Sequence, residues 1–234
     1  EIVKDWLSLN ALVRLDSAYC NKQLRKVFVK FLESSEFCLT EHVQLFRGDV
    51  INWLIQRHVS TSSIGLVSLA ELPLIRTYLS SCGRAVRSGE IVTKNRSTNA
   101  QQVALLAEYC PNLTQITYAN GDIVTPEFQD FLKGNLQLES LHIVSLHPYY
   151  QWQFPNAVEE WTFQDILLPK LRVLSLNHNR FVGQHCTDAL KMGSNLIALS
   201  LMNSGVSDAE LSQLPQLCPH LRALCLANVR AGDP

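Results

Sequence analysis

The sequence predicts an α/β solenoid, with short parallel strands stacked side by side and each unit returning through a helix, preceded by a small helical module. Three observations predict it. First, Leu171-Arg-Val-Leu174-Ser-Leu176 spaces its apolar residues by three and then two, which suits a chain entering a short strand from a bend. The spacing returns 25 residues on at Leu196, Leu199 and Leu201, and another 25 on at Leu221, Leu224 and Leu226. It also stands 33 residues earlier at Leu138, Leu141 and Ile143, and 25 before that at Leu113, Ile116 and Tyr118. A period in the twenties marks units that each bury an apolar edge against the next. Second, helix-start signals fall between these segments. Third, residues 1–40 carry helical periodicity instead of the repeat.

Taken in order, Ile2, Val3, Trp6 and Leu7 form the tail of a first helix. Leu12, Leu15 and Tyr19 follow Asn10 in a second, and Leu24, Val27, Phe28, Phe31 and Leu32 give the stripe of an amphipathic third, begun by Asn21. Residues 41–84 are expected to be a helical linker or cap. In it Val50 to Ile55 is a buried helix, Ser60-Thr-Ser-Ser63 a loop, and Ile75 to Leu79 a helix closed by Gly83 in the left-handed conformation. Val86 to Ile91 lies 27 residues before Leu113 with apolar residues at the first and sixth repeat positions, so the solenoid spans residues 85–234 as about six repeats. Within it, Ala100 to Tyr109 is a helix ended by Pro111, and Thr125-Pro126 supplies a hydroxyl cap and a proline suited to a first helical turn. Ser207-Asp-Ala-Glu210 is a capping box. Glu1 in place of Met and the apolar last segment predict a fragment whose repeats continue further.

The repeated apolar-x-x-apolar-x-apolar segments resemble the leucine-rich repeat family, with an asparagine at the ninth position only in the copy ending at Asn179. Cys110-Pro-Asn-Leu113 and Cys218-Pro-His-Leu221 are similar to its cysteine-containing subclass, common behind F-boxes. Residues 1–35, with the run WLSLNALVRLDSAYCNKQLRKVFVKFL, resemble the middle and end of an F-box; the usual opening Leu-Pro and the late tryptophan are absent. The resemblance implies a right-handed solenoid with strands on the concave face and helices outside. It further implies a helical module that docks on a Skp-type adaptor through residues among Ile2, Val3, Trp6, Leu7, Leu12 and Leu15, while the repeats hold a target protein.

Composition narrows the function classes. A formal charge of −1 gives no general attraction to nucleic acid or acidic membranes. No apolar run reaches the roughly 18–20 residues that a membrane span needs. Seven scattered cysteines, several at apolar repeat positions, fit reduced core thiols and a cytoplasmic or nuclear setting better than a disulfide framework. No cofactor or metal is expected. His185-Cys186 has no third orienting group, Cys218-Pro-His220 with Cys225 lacks paired zinc-ligand spacing, and the glycines are too dispersed for a phosphate loop. The sequence reads as a non-enzymatic binding protein.

Two surfaces are candidates for partners. Residues alternating with the leucines face the concave side: Gln115 and Thr117, Ser140 and His142, Val173, Ser175 and Asn177, then Met202. None of these is charged, which suits close packing against a protein segment; the other reading is a lightly used face. The 33-residue interval adds an insertion with Tyr149, Tyr150 and Trp152 between Pro148 and Pro155, either a binding rim or a lid over neighbouring repeats. The expected function is substrate recognition within a Skp-cullin-F-box ubiquitin ligase. The alternative is a non-catalytic scaffold subunit of a large multiprotein or ribonucleoprotein assembly.

Overall fold

Each repeated leucine marks a turn followed by a strand, and the sequence intervals become the register of a parallel sheet. A computed structural model describes residues 8–18, 22–34, 37–93, 96–120, 125–144, 163–177, 184–204 and 206–227. In chain order these form α1 (Leu9–Ala18), α2 (Lys22–Leu32), β1 (Cys38–Gln44), α3 (Gly48–Gln56), β2 (Ser60–Leu66), α4 (Leu72–Cys82) and β3 (Ser88–Thr93). There follow α5 (Arg96–Tyr109), β4 (Gln115–Asn120), α6 (Pro126–Gly134), β5 (Ser140–Val144) and β6 (Val173–Asn177). The series closes with α7 (Gln184–Lys191), β7 (Ala198–Ser200), α8 (Asp208–Leu211), α9 (Leu214–Leu217) and β8 (Ala223–Cys225). Strand order in the sheet follows the chain, β1 to β8. The chain divides into two compact units, residues 1–89 with 105–112, and residues 90–104 with 113–234.

In the second unit, β4 to β8 pair in parallel, and the partners are the residues that the repeat aligns: Ile116, Leu141, Leu174, Leu199 and Leu224 stand opposite one another. The expected strand segments are therefore neighbours in one parallel sheet. The bend before each of β5, β6, β7 and β8 is a hydrogen-bonded turn. The amide of Leu138 donates to the Asn135 carbonyl at 3.2 Å, Leu171 to Leu168 at 3.0 Å, Leu196 to Gly193 at 3.3 Å and Leu221 to Cys218 at 3.1 Å. That turn drives the first leucine inward, and Leu113, Leu138, Leu171 and Leu196 are all fully buried. Leu224 and Leu226 depart from the pattern at 45% and 42% exposed, because among the described residues β8 has a sheet neighbour on one side only.

The helix-start signals at Thr125 and Ser207 hold, whereas Asn10 lies inside α1 and does not precede it. Thr125 Oγ1 accepts from the Phe128 amide at 3.3 Å, and Pro126 opens α6. The buried face of α6 is Phe128, Phe131 and Leu132, with Phe128 stacked on Tyr118 of β4 at 4.0 Å between ring centres. The carboxylate of Glu210 accepts from the Ser207 amide at 2.6 Å, the returning arm of the capping box.

The first unit corrects the expected helical linker. Residues 41–84 contain helices α3 and α4, but also most of β1 and all of β2, which pair in parallel. The expected loop Ser60-Thr-Ser-Ser63 is strand. Two substitutions of pattern hide these strands from a sequence reading. The Arg87 amide donates to the Ser62 carbonyl at 2.8 Å, the bond that Glu139 makes to Thr114, so Thr61 occupies the slot that Leu113 fills in its own repeat. Thr61 is buried there because its hydroxyl lies 3.0 Å from Tyr78 Oη, which also donates to the Val59 carbonyl at 3.2 Å. In β1 the register slips between Leu39 and His42, so an extra residue separates buried Leu39 from Val43 and Leu45. Repeat-like units thus begin near residue 38, not 85. Val86 behaves as expected, fully buried after a turn to Gly83 at 3.1 Å.

Burial pushes the Tyr78 phenol far above its ordinary range, so it stays a neutral donor and acceptor. Tyr78→Phe leaves Thr61 Oγ1 and the Val59 carbonyl without this partner. It is expected to lower stability by about 1–3 kcal/mol, the range for a buried polar group left unsatisfied, as measured by denaturant unfolding. Gly83 is not left-handed as expected; its φ is −60°. Its requirement is steric, since a Cβ there would sit 2.4 Å from the Tyr109 carbonyl oxygen.

Candidate protein-interaction surfaces

The first surface lies on the helical module, and its position is set by one carboxylate. Asp16 on α1 is only 3% exposed. It accepts from Arg25 Nε of α2 at 3.1 Å, from Trp53 Nε1 of α3 at 3.1 Å and from Arg57 Nε at 2.8 Å. Burial pushes its acid strength down, but the hydrogen bonds from Arg57, Trp53 and Arg25 together outweigh burial and hold the carboxyl below its usual range. Arg25 reaches Asp16 with a side chain that stays 45% exposed, and two helical turns on, Leu32 is the buried residue of α2. Helical geometry then turns Leu24, Val27 and Phe31 to the opposite side. They are 56%, 67% and 38% exposed. Phe31 also leans on Phe37, with ring centres 5.1 Å apart.

This reverses part of the expectation. The apolar stripe of α2 exists, but only its Leu32 end is enclosed, with Phe28 half-buried and Leu24, Val27 and Phe31 exposed. Of the expected adaptor residues, Leu12 is fully buried in α1 and offers no surface, while Leu15 is 36% exposed. Ile2, Val3, Trp6 and Leu7 lie outside the described residues. The expected adaptor residues leave out the α2 stripe, whose amphipathic spacing at Leu24, Val27 and Phe31 is the signal that could have named it.

The second surface is the strand face of the second unit. Register brings Gln115, Ser140, Val173, Ala198 and Ala223 into one row and Thr117, His142, Ser175, Ser200 and Cys225 into the next. Gln115 is exposed, and Thr117, Ser140, His142, Val173, Asn177 and Met202 are half-buried. Ser175 is a correction: only 5% exposed, it lies too deep to meet a partner. Asn177 is engaged within the sheet, its Oδ1 accepting from Ser200 Oγ at 2.8 Å and from the Met202 amide at 3.0 Å. His142 Nε2 is 2.8 Å from Ser140 Oγ, and burial lowers its pKa, which keeps the ring neutral near pH 7. The rows are uncharged, as the sequence indicates. Tyr149, Tyr150 and Trp152 lie outside the described residues.

The described cysteines include enclosed thiols. Cys186 is fully buried and its thiol is pushed up to about 12, chiefly by burial, so it is no thiolate nucleophile. Burial alone pushes Cys110 up to about 12. Cys218 is buried whereas Cys225 is exposed. Among the described residues no helix is long and apolar enough to cross a membrane. The sequence matches no protein-family model and no curated protein.

Proposed function

We propose that this protein is a protein-interaction subunit that docks on a Skp-type adaptor through its helical module and holds a target protein with its repeats, as the substrate-recognition part of a cullin-RING ubiquitin ligase. The observation that carries the docking half is the exposed stripe Leu24, Val27 and Phe31 on α2, apolar side chains held outward by the Asp16–Arg25 contact. Exposed apolar groups grouped at helical spacing are what a helix-to-helix interface uses as anchors. The uncharged strand face of the second unit supports the holding half, because a neutral face of small side chains lets a partner approach closely. The resemblance of residues 1–35 to an F-box supplies the identity of the adaptor.

Titration calorimetry of the protein against a recombinant Skp adaptor tests this. Saturable binding is expected for the unaltered chain. Leu24→Ser with Val27→Ser should weaken it about thirtyfold, the weight of one hot spot of ~2 kcal/mol. The melting temperature should barely move, since both side chains already face solvent. Absence of binding by the unaltered chain, or equal binding by the variant, would remove the ligase assignment.

A further inference from the structure

A groove of about 640 Å³ lies in the second unit, along the turns and first strand residues that precede β5 to β8. Its lining includes Glu139, Lys170, Arg172, Ile197, His220 and Arg222. Backbone bonds fix their order across the sheet: Arg172 donates to the Glu139 carbonyl at 2.9 Å, Ile197 to Arg172 at 2.8 Å and Arg222 to Ile197 at 2.8 Å. Three fixed positive charges thus stand against one carboxylate in a chain whose overall formal charge is −1. Lys170 is engaged with Gln137, but among the described residues Arg172 and Arg222 make no ion pair, and both are exposed.

We infer that this groove binds an extended acidic segment of a protein partner, with carboxylates received by Arg172 and Arg222. The two arginines are separated by one intervening strand, so their backbones stand about 10 Å apart, twice the interstrand spacing. A segment in the extended polyproline II conformation advances about 3.1 Å per residue with three residues per turn, so acidic residues three positions apart lie on one side at about that distance. Each guanidinium can take a carboxylate in a two-bond fork. Glu139 in the same row opposes a continuous phosphate backbone, and none of the lining residues is phenylalanine, tyrosine or tryptophan, the side chains that make the broadest platforms for stacking bases. Both features favour a peptide over nucleic acid. The site deepens the proposal that the repeats hold a target protein and rests on it, but it involves no residue of the helical module.

The test is fluorescence anisotropy on the full chain. Its probes are a short labelled peptide with glutamate at every third position, the same peptide with glutamine in those places, and a labelled single-stranded RNA of equal length. The acidic peptide should bind saturably, weaken as salt rises, and lose about tenfold or more in affinity with Arg172→Glu plus Arg222→Glu, while the glutamine peptide does not bind. Arg172→Lys plus Arg222→Lys should keep the charge attraction but lose part of the affinity with the fork. Because both arginines are exposed, the charge-reversed protein should show an unchanged circular dichroism spectrum and melting temperature. Equal affinity of the unaltered and charge-reversed proteins for the acidic peptide would overturn the inference. So would RNA binding that exceeds peptide binding and vanishes on charge reversal. Neither result bears on adaptor binding, which the calorimetry measures separately.

Discussion

Asp16→Ala should destabilise the first unit by about 3 kcal/mol or more, the typical cost of removing one member of a buried, hydrogen-bonded charge cluster. The carboxylate receives donors from α1's three neighbours in the network, Arg25, Trp53 and Arg57, which come from positions 9, 37 and 41 residues away in sequence. Removing it strands the Trp53 indole N–H and leaves two guanidiniums without their anion. Arg25 is 45% exposed at its side chain and can rehydrate, so the loss falls at the lower end of the range. Hydrogen exchange resolved along the chain should show the loss of protection in α1, α2 and α3. Because the folded carboxyl has a depressed pKa, its stabilisation is complete above the unfolded value near 3.8 and disappears as pH falls through the lower folded value. Asp16→Asn should therefore flatten that part of the acid unfolding profile. It should also loosen the hold on α2, so adaptor binding should weaken in this variant although Asp16 is itself enclosed.

Leu174→Ala should cost about 2–5 kcal/mol in the second unit, the range for deleting a fully enclosed leucine and leaving a cavity. Leu174 stands between Leu141 and Leu199 in the register of the sheet, and all three are buried. A strand flanked on both sides cannot collapse into the void without breaking the parallel ladder. Chain-resolved hydrogen exchange should report opening of β5 to β7. A cost under ~1 kcal/mol would mean that the site relaxes, contrary to a stacked leucine core.

What the sequence reveals depends on how local each signal is. The strands β4 to β8 are legible because their leucines keep one spacing and one register, and a count of intervals recovers both. The strands β1 and β2 are not, because Thr61 replaces an apolar residue with a hydroxyl satisfied only by Tyr78, seventeen positions away. A bulge between Leu39 and His42 breaks the spacing once more. For the candidate surfaces, the neutral strand face follows from alternation alone. The exposed stripe of α2 does not, since periodicity gives a helix its apolar face without saying what covers it, and the ion pair that reaches α2 joins two different helices, Asp16 on α1 to Arg25. The basic groove is invisible in linear sequence, because Glu139, Arg172, Ile197 and Arg222 become neighbours only through the stacking of repeats.

We propose that this chain links a Skp-type adaptor to a target protein. The most direct test is affinity purification of the intact protein from cells, read by mass spectrometry, beside the Leu24→Ser and Val27→Ser variant. Skp and cullin are expected to co-purify with the unaltered protein and to be lost from the variant, while partners held by the repeats remain. Recovery of a constant set of other complex subunits, without Skp or cullin, would contradict it and assign the chain to a structural assembly.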